Sequence, residues 1–397
     1  MTTSSFYSKN NLFILKNEFI IILSIAQVFF SGIIYPFQFL QRAAEIILII
    51  FFSAGIINSK LLKWEIYLFA ILILSIFFSF VNFDFIKFLS ITKSNLLGIL
   101  ALIYFNKIRF KSRIILPVFF ISLSLVVINE LHNHYSEEII NKLISFSSRP
   151  DFNSSRFGGV FLNAHFNAVF VAIPLIYYSH KRLINNFFGI YFLIIMASKF
   201  VFSAYLFHII EYQFSRYFRK VNVLYWEIVL LLLSIIFLIF FKRNFLHCLD
   251  FFNGYTTDGE ALNSLYIIYF QLIHLDYLKI FFNIFPGVFN HDFPLISVNG
   301  ILHDGAVEIG FLSLVLQAGT LLGLYYIYFL IKIARSFLPF ILISLLHVNF
   351  VMTPIIIYLL IMYSHEIQLI HGASKSPDFK IKKYHNSINK RASVDHE

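Results

Sequence analysis

The chain has 397 residues, of which 59% are hydrophobic and only 13% are charged, and its formal net charge is +10. Soluble domains carry about 25% charged residues, so this composition excludes a water-soluble globular protein and predicts a membrane protein with many crossings. The positive charge is attributed to cytoplasmic loops, which collect Lys and Arg, and no nucleic-acid partner is expected. A single Cys248 excludes an intramolecular disulfide and a cysteine-based metal site.

The predicted membrane spans begin close to the first residue. The first apolar run follows Lys9 and Lys16, and no small-residue cleavage pattern comes after it, so it is interpreted as a retained helix and not as a signal peptide. Single spans are predicted at about 18–35, 43–57, 64–81, 94–106, 114–129, 159–178, 223–241 and 309–331.

Two further apolar windows, 187–213 and 338–370, are too long for one ordinary span. Each has residues near its centre that disfavour a continuous membrane helix, Ser198-Lys199 in the first and Thr353-Pro354 in the second. A charge is costly in the middle of a lone helix, and proline removes a backbone donor there. Each window is therefore predicted to form two short helices, with Lys199 and Thr353-Pro354 at outer turns.

The resulting fold is an all-α, polytopic membrane protein with about twelve helices (range 10–12) and both termini in the cytoplasm. With this topology the basic segments 107–113, 180–182, 215–220 and 332–336 all lie on the inner side. Two larger non-cytoplasmic loops are predicted, at about 130–158 and 242–308. Residues 1–370 form one membrane domain, and the basic tail 371–397 is predicted to be a disordered or surface-bound cytoplasmic appendage.

The first outer loop leads into a helix through "SSRPDFNSSRFGGVFLNAHFNAVF". Arg156 precedes Gly158-Gly159, where the backbone could approach a ligand closely. Polar residues within a span usually face the protein interior or a cavity, and Asn163 and Asn167 share one helix face. The alternatives are that the arginines anchor at the interface and that the asparagines hold helices together. The candidate binding residues of this loop are Arg149, Arg156, Asn163, His165 and Asn167.

The second outer loop carries two His-Asp pairs, His291-Asp292 and His303-Asp304, followed by Glu308 at the mouth of the next helix. Such groups could act in general acid–base catalysis. The alternative is that each pair is a solvated or turn-forming feature. A metal site is not predicted, because the spacing matches no strong metal-binding signature.

The stretch "SRFGGVFLNAHFNAVFVAIPLIYY" resembles the segment by which O-antigen polymerases and O-antigen ligases enter a central helix. The stretch "EIGFLSLVLQAGTLLGLYYIYFL" (308–330) is similar to a second landmark of that superfamily, with Glu308 in the polar lead position and Gly319 and Gly323 in the small positions. Ligases typically have His-Asn or His-Ser at this landmark, so Glu308 favours a polymerase.

The resemblance implies a glycosyltransferase of the bacterial inner membrane. It would polymerise undecaprenyl-diphosphate-linked oligosaccharide repeat units into O-antigen, capsule or exopolysaccharide at the outer face. Arg156, supported by Arg149 and Lys279, would bind the diphosphate, with Asn163, His165, Asn167 and His291 around the glycan. The catalytic candidates are Glu308, His303 and Asp304, with Glu308 or His303 as the base. No cofactor is implied, and protein partners would be a flippase and a chain-length regulator.

Three other functions stay open. A flippase for the same lipid-linked sugar also fits twelve helices with both termini inside, although such transporters usually have related halves. An O-antigen ligase is the second alternative, and a membrane scaffold or biogenesis factor is the third.

Overall fold

The structure is a computed structural model. It describes residues 3–31, 38–57, 59–108, 110–132, 159–161, 164–181, 189–190, 192–193, 199–217, 282–286, 296–298, 301–303, 314–315, 317–345 and 350–370. The helices in these ranges are α1 (Thr3–Ser31), α2 (Gln38–Ile57), α3 (Lys63–Asn82), α4 (Phe85–Lys107), α5 (Ile115–His132), α6 (Ala164–Lys181), α7 (Lys199–Tyr217), α8 (Thr320–Ile333), α9 (Leu338–Ser344) and α10 (Pro354–Ile370).

The described part of the chain is mostly helical, with one small addition to the predicted all-α fold. Strands β1 (Ile296–Val298) and β2 (Ile301–His303) pair antiparallel, and His303 lies opposite Ile296. The backbone of His303 is therefore in a strand, whereas the sequence predicted a loop.

Side chains cap both helices of the α3–α4 hairpin. The amide of Leu62 donates to Oε2 of Glu65 at 2.7 Å, and the amide of Lys87 donates to Oδ1 of Asp84, the N-cap of α4, at 2.9 Å. These acceptors satisfy amides that have no partner within the helix. Because α3 ends at Asn82 and the Asp84 cap starts α4 at Phe85, the chain reverses within the short turn around Phe83.

Cross-helix contacts fix the directions of the helices. Gln27 of α1 reaches Glu45 of α2, and Phe19 reaches Phe51, so α1 and α2 are antiparallel. Helices α2 and α4 are parallel, since Glu45 contacts Lys93 and Phe52 contacts Tyr104. Helices α2 and α4 therefore begin at the same end of the bundle.

The same reasoning separates two ends of the bundle. The end that we call the basic end carries Lys60, Lys107, Arg113, Lys332 and Arg335, and Lys107 donates there to the Lys60 carbonyl and pairs with Glu65. The opposite end, which we call the loop end, carries the starts of α2, α4, α6 and α8. The predicted outer loops connect to this loop end.

Three described helices are long and apolar enough to cross a membrane: Phe39–Ile57, Lys63–Asn82 and Phe85–Lys107. A fourth crossing results if α8 and the helical segment Arg335–Leu342, which are bent by 100°, form one span. Shorter apolar helices lie at Ile115–Leu125, Phe166–His180 and Pro354–Leu369. The predicted spans 223–241 and the first half of 187–213 fall largely outside the described residues, as does the tail 371–397. Helix α7 begins at Lys199, as the division of the window 187–213 predicts.

The predicted continuous span 309–331 is wrong at Gly319. This residue has φ of 81° and is the N-cap of α8, which begins only at Thr320. A positive φ is readily adopted by glycine but is strained for other residues. Gly319 therefore interrupts the helix, and of the two predicted helical glycines only Gly323 lies inside it.

The window 338–370 does divide at Thr353-Pro354, because α10 begins at Pro354. The break is not at an outer turn, however. The hydroxyl of Tyr326, halfway along α8, donates to the carbonyl of Val351 at 2.5 Å, and Met352 lies against Gly98, near the middle of α4. Non-helical backbone at this depth is tolerated when protein covers it, and Phe350, Val351 and Met352 are all buried.

Candidate functional site

Among the predicted site residues, the structure describes the side chain of Asn167 alone. It places the backbones of His165 and His303, in α6 and β2 respectively. The others lie outside the described residues: Arg149, Arg156, Asn163, Lys279, His291, Asp304 and Glu308.

Asn167 occupies the first turns of α6, at the loop end. Its side chain is fully buried, and in the described part of the chain neither Oδ1 nor Nδ2 has a hydrogen-bond partner. Leaving a buried polar group unpaired costs about 1–3 kcal/mol. Such an amide points to a group absent from the described residues, such as water, a ligand or another part of the chain.

The loop end of α6 is fixed by an aromatic cluster. Residues Gly159–Phe161 form a short 3₁₀ turn, and the ring of Phe161 lies 5.0 Å from Phe166 and 4.9 Å from Phe170, in edge-to-face geometry. All three rings are buried. This packing holds the chain that follows the Arg156-Gly158 segment against the helix that carries Asn167.

A second fixed point at the loop end lies within the predicted loop 242–308. Residues 282–286 cap α8, because the amide of Thr320 donates to the carbonyl of Asn283 at 2.8 Å. The ring of Phe285 stacks on Phe78 of α3 at 4.5 Å, and Asn82 donates to the Pro286 carbonyl at 3.3 Å. The second outer loop is thereby attached to α3 and α8, the helix that follows the landmark at Glu308.

Sequence reasoning missed an ionic cluster between α1, α2 and α4. The Nζ of Lys93 lies 2.5 Å from Oε2 of Glu45, and the amides of Gln27 and Gln41 donate to Oε1 of Glu45 at 3.3 Å and 3.0 Å. The signal was present, since Gln27 and Glu45 fall inside predicted spans, where charged and amide side chains are expensive.

A second missed pair lies at the basic end. The Nε2 atoms of His180 and His208 are 3.2 Å apart, so one ring donates a hydrogen bond and the other accepts it. Nearby, the Tyr177 hydroxyl donates to Glu366 at 3.3 Å. Within the described ranges no three His, Cys, Asp or Glu side chains come close enough together to bind a metal ion.

Comparisons with known proteins identify no relative. No family model, no curated protein and no solved structure matches this chain.

Proposed function

We propose that the protein is a membrane glycosyltransferase that polymerises undecaprenyl-diphosphate-linked oligosaccharide repeat units. It would act at the outer face of a bacterial inner membrane, with 10–12 membrane helices, both termini in the cytoplasm and the basic end facing the cytoplasm. The product would be O-antigen, capsule or exopolysaccharide. The proposal rests first on the resemblance of residues 155–178 and 308–330 to the O-antigen polymerase and ligase superfamily.

The structural observation that carries the proposal is Asn167. Its buried amide offers one acceptor and two donors with no described partner, at the loop end of α6 and after the segment that contains Arg156. Sugar hydroxyls both donate and accept hydrogen bonds, so they would satisfy such an amide. The attachment of residues 282–286 to α8 also supports a site at this end, since it fixes part of the second predicted outer loop at the loop end.

In the proposed reaction, a hydroxyl of the acceptor sugar attacks the anomeric carbon of the donor glycan. The new glycosidic C–O bond forms as the bond to the diphosphate breaks, and the diphosphate leaves with its lipid. The hydroxyl proton passes to Glu308 or His303, with Asp304 beside His303. Arg156, with Arg149 and Lys279, stabilises the charge of the leaving diphosphate, while Asn163, His165, Asn167 and His291 position the glycan.

The test is a glycan ladder from a deletion strain complemented with wild type, Arg156→Ala, Asn167→Ala or Lys87→Ala. Lys87 is an exposed residue of α4 at the loop end, outside the proposed site, and is the matched control. The proposal predicts single repeat units in the deletion strain, a ladder restored by wild type and Lys87→Ala, and no ladder with the other two variants at normal protein levels. A full-length polymer stranded on the lipid carrier would identify a ligase instead.

A flippase for the same lipid-linked sugar is the second candidate, favoured by two observations. Glu45, within the predicted span 43–57, pairs with Lys93, directly before the predicted span 94–106, and the backbone is broken at mid-depth before Pro354. Both features are common at the substrate sites of secondary transporters. Accumulation of single repeat units on the cytoplasmic side of the deletion strain would establish this function and overturn the polymerase proposal.

A further inference from the structure

The Glu45–Lys93 pair lies well below the loop end of the bundle. Glu45 comes seven residues after the start of α2 and Lys93 eight after the start of α4, which corresponds to depths of about 10 Å and 12 Å along helices that rise 1.5 Å per residue. Both helices are long and apolar enough to cross a membrane. The pair therefore lies in the half of both apolar helices that is nearer the loop end.

The side of α4 that faces α2 is progressively uncovered toward the loop end. On this side, Leu100 and Leu97 are 3% and 4% exposed, whereas Ile86 is 80% exposed. Lys93 lies between them, with 34% of its side chain exposed. These exposures indicate that α2 covers this face of α4 only from Lys93 toward the basic end, which leaves an opening between the two helices with Lys93 at its base.

The rim of this opening is apolar, apart from one more cation. On α2, Phe39 and Ile46 are 62% and 57% exposed, and on α4 Leu89 is 48% exposed. Arg42, one helical turn from Glu45 toward the loop end, is exposed as well. Two cations and one carboxylate leave a formal charge of +1 around an opening that otherwise suits hydrocarbon.

Two buried polar atoms of residues next to the pair have no hydrogen-bond partner in the described part of the chain: Oε1 of Gln27, which contacts Glu45, and Oγ1 of Thr92, which precedes Lys93 in sequence. In the Glu45 carboxylate, Oε1 accepts hydrogen bonds from Gln27 and Gln41, and Oε2 forms the ion pair with Lys93. Glu45 thus positions the ammonium of Lys93, and the Thr92 hydroxyl remains as a donor without a described partner.

We propose that this opening is a binding site for the phosphate headgroup of a membrane lipid. Lys93 and Arg42 bind the phosphate oxygens, Thr92 supplies a hydroxyl donor, and the hydrocarbon chain leaves between α2 and α4 over the apolar rim. A lipid fits better than a solute from water, because the exposed neighbours of Lys93 are apolar and a lipid can bring a phosphate to this depth laterally. Phosphate also matches the net positive charge. The site does not depend on the polymerase activity proposed above.

The test is native mass spectrometry of the full-length protein after incubation in phosphatidylcholine nanodiscs that contain either an isoprenoid monophosphate or phosphatidylglycerol. The main variant combines Glu45→Gln with Lys93→Met, which removes both charges and leaves no unpaired buried ion. We expect it to retain about tenfold less of the phosphate lipid than wild type, the loss expected for one charge-assisted hydrogen bond. Lys87→Met, on the same helix but above the opening, is the control and should retain the wild-type amount.

Glu45→Gln alone separates binding from folding, because it keeps the ammonium and removes the carboxylate that repels a phosphate. It should retain at least as much lipid as wild type, and Lys93→Arg should retain lipid as well. Preferential retention of the isoprenoid phosphate would identify a lipid carrier as the ligand, and equal retention of both lipids would identify a general anionic-lipid site. The proposal is overturned if neither lipid is retained above phosphatidylcholine, or if the double variant retains as much as wild type.

Discussion

The hydroxyl of Tyr104 on α4 donates a hydrogen bond to Oδ1 of Asn17 on α1, at 2.8 Å. Both residues are buried, and the ring of Tyr104 also lies against Gly55 of α2. One side chain therefore connects α1, α2 and α4 near the basic end, and these three helices also hold the Glu45–Lys93 pair nearer the loop end.

Tyr104→Phe should destabilise the protein by about 1–3 kcal/mol, because it leaves the buried Asn17 oxygen without its donor. The ring, and with it the packing against Gly55, would be kept. The measurement is thermal unfolding in detergent. Tyr328→Phe on α8 is the control, since Tyr328 is 57% exposed, and an equal loss in both variants would contradict the expected role of the hydrogen bond.

Gly98→Ala should destabilise the protein, because a Cβ at this position would meet the sulfur of Met352 and lie 3.1 Å from the Met352 Cα. The sulfur can move, but the backbone of the broken segment before α10 is buried and cannot retreat easily. Overpacking of this kind costs about 1–3 kcal/mol.

Gly323→Ala on α8 is the matched control for Gly98→Ala. Its Cβ would make ordinary contacts, at 3.4 Å or more, with Val315 and Leu314, and alanine is favoured over glycine within helices by about 1 kcal/mol. Unfolding in detergent should therefore show Gly98→Ala below wild type and Gly323→Ala at or above it. A stable Gly98→Ala variant would show that Met352 does not pack against α4 as described.

The sequence predicted the helical class and many element positions, because apolar runs and breakers are local signals. The division at Thr353-Pro354 follows from proline chemistry and is confirmed. Its depth was predicted incorrectly, since depth is set by tertiary contacts such as that of Tyr326 with Val351. The Glu45–Lys93 pair was missed because its partners are 48 positions apart on two helices, and residue spacing within one helix does not indicate which neighbour a charge will meet.

For the candidate site, the sequence predicted Asn167 as an inward-facing polar residue of an apolar helix, and the structure buries its side chain; its role in binding stays a prediction. Its lack of a described partner could not be predicted, because that depends on the residues of every helix packed around α6. The catalytic roles of Glu308, His303 and Asp304 stay predictions.

Gly319→Ala should release residues 282–286 from α8. The positive φ is strained for alanine, and the new Cβ would lie 2.6 Å from the Ile284 carbonyl oxygen and 2.9 Å from the Phe285 Cα. The measurement is the reaction of a water-soluble maleimide with Asn283→Cys in a Cys248→Ser background. Asn283 is 2% exposed, so labelling should be slow with Gly319 and fast with Gly319→Ala.

Phe282→Cys in the same background is the control for this labelling. Phe282 is 53% exposed, so its cysteine should react quickly whether residue 319 is glycine or alanine. Slow labelling of Asn283→Cys in the Gly319→Ala protein would contradict the proposed role of Gly319 in holding residues 282–286 against α8.

Asn167→Leu should raise stability and abolish polymer formation together. Leucine has a similar size and removes a buried amide that lacks a described partner, so we expect a gain of about 1–3 kcal/mol in the free energy of unfolding. If that amide contacts the glycan, the glycan ladder should be lost at normal protein levels. Both properties are read from one set of variants, by unfolding in detergent and by the ladder in the deletion strain.

Ser122→Ala on α5 is the matched control, because the Ser122 hydroxyl is also fully buried and also has no partner among the described residues. It should raise stability slightly and leave the ladder intact, since no glycan contact is proposed there. An Asn167→Leu protein that is stable and still makes a normal ladder would remove Asn167 from the site. If Asn167→Leu instead lowers stability, the amide is paired within the protein and has a structural role.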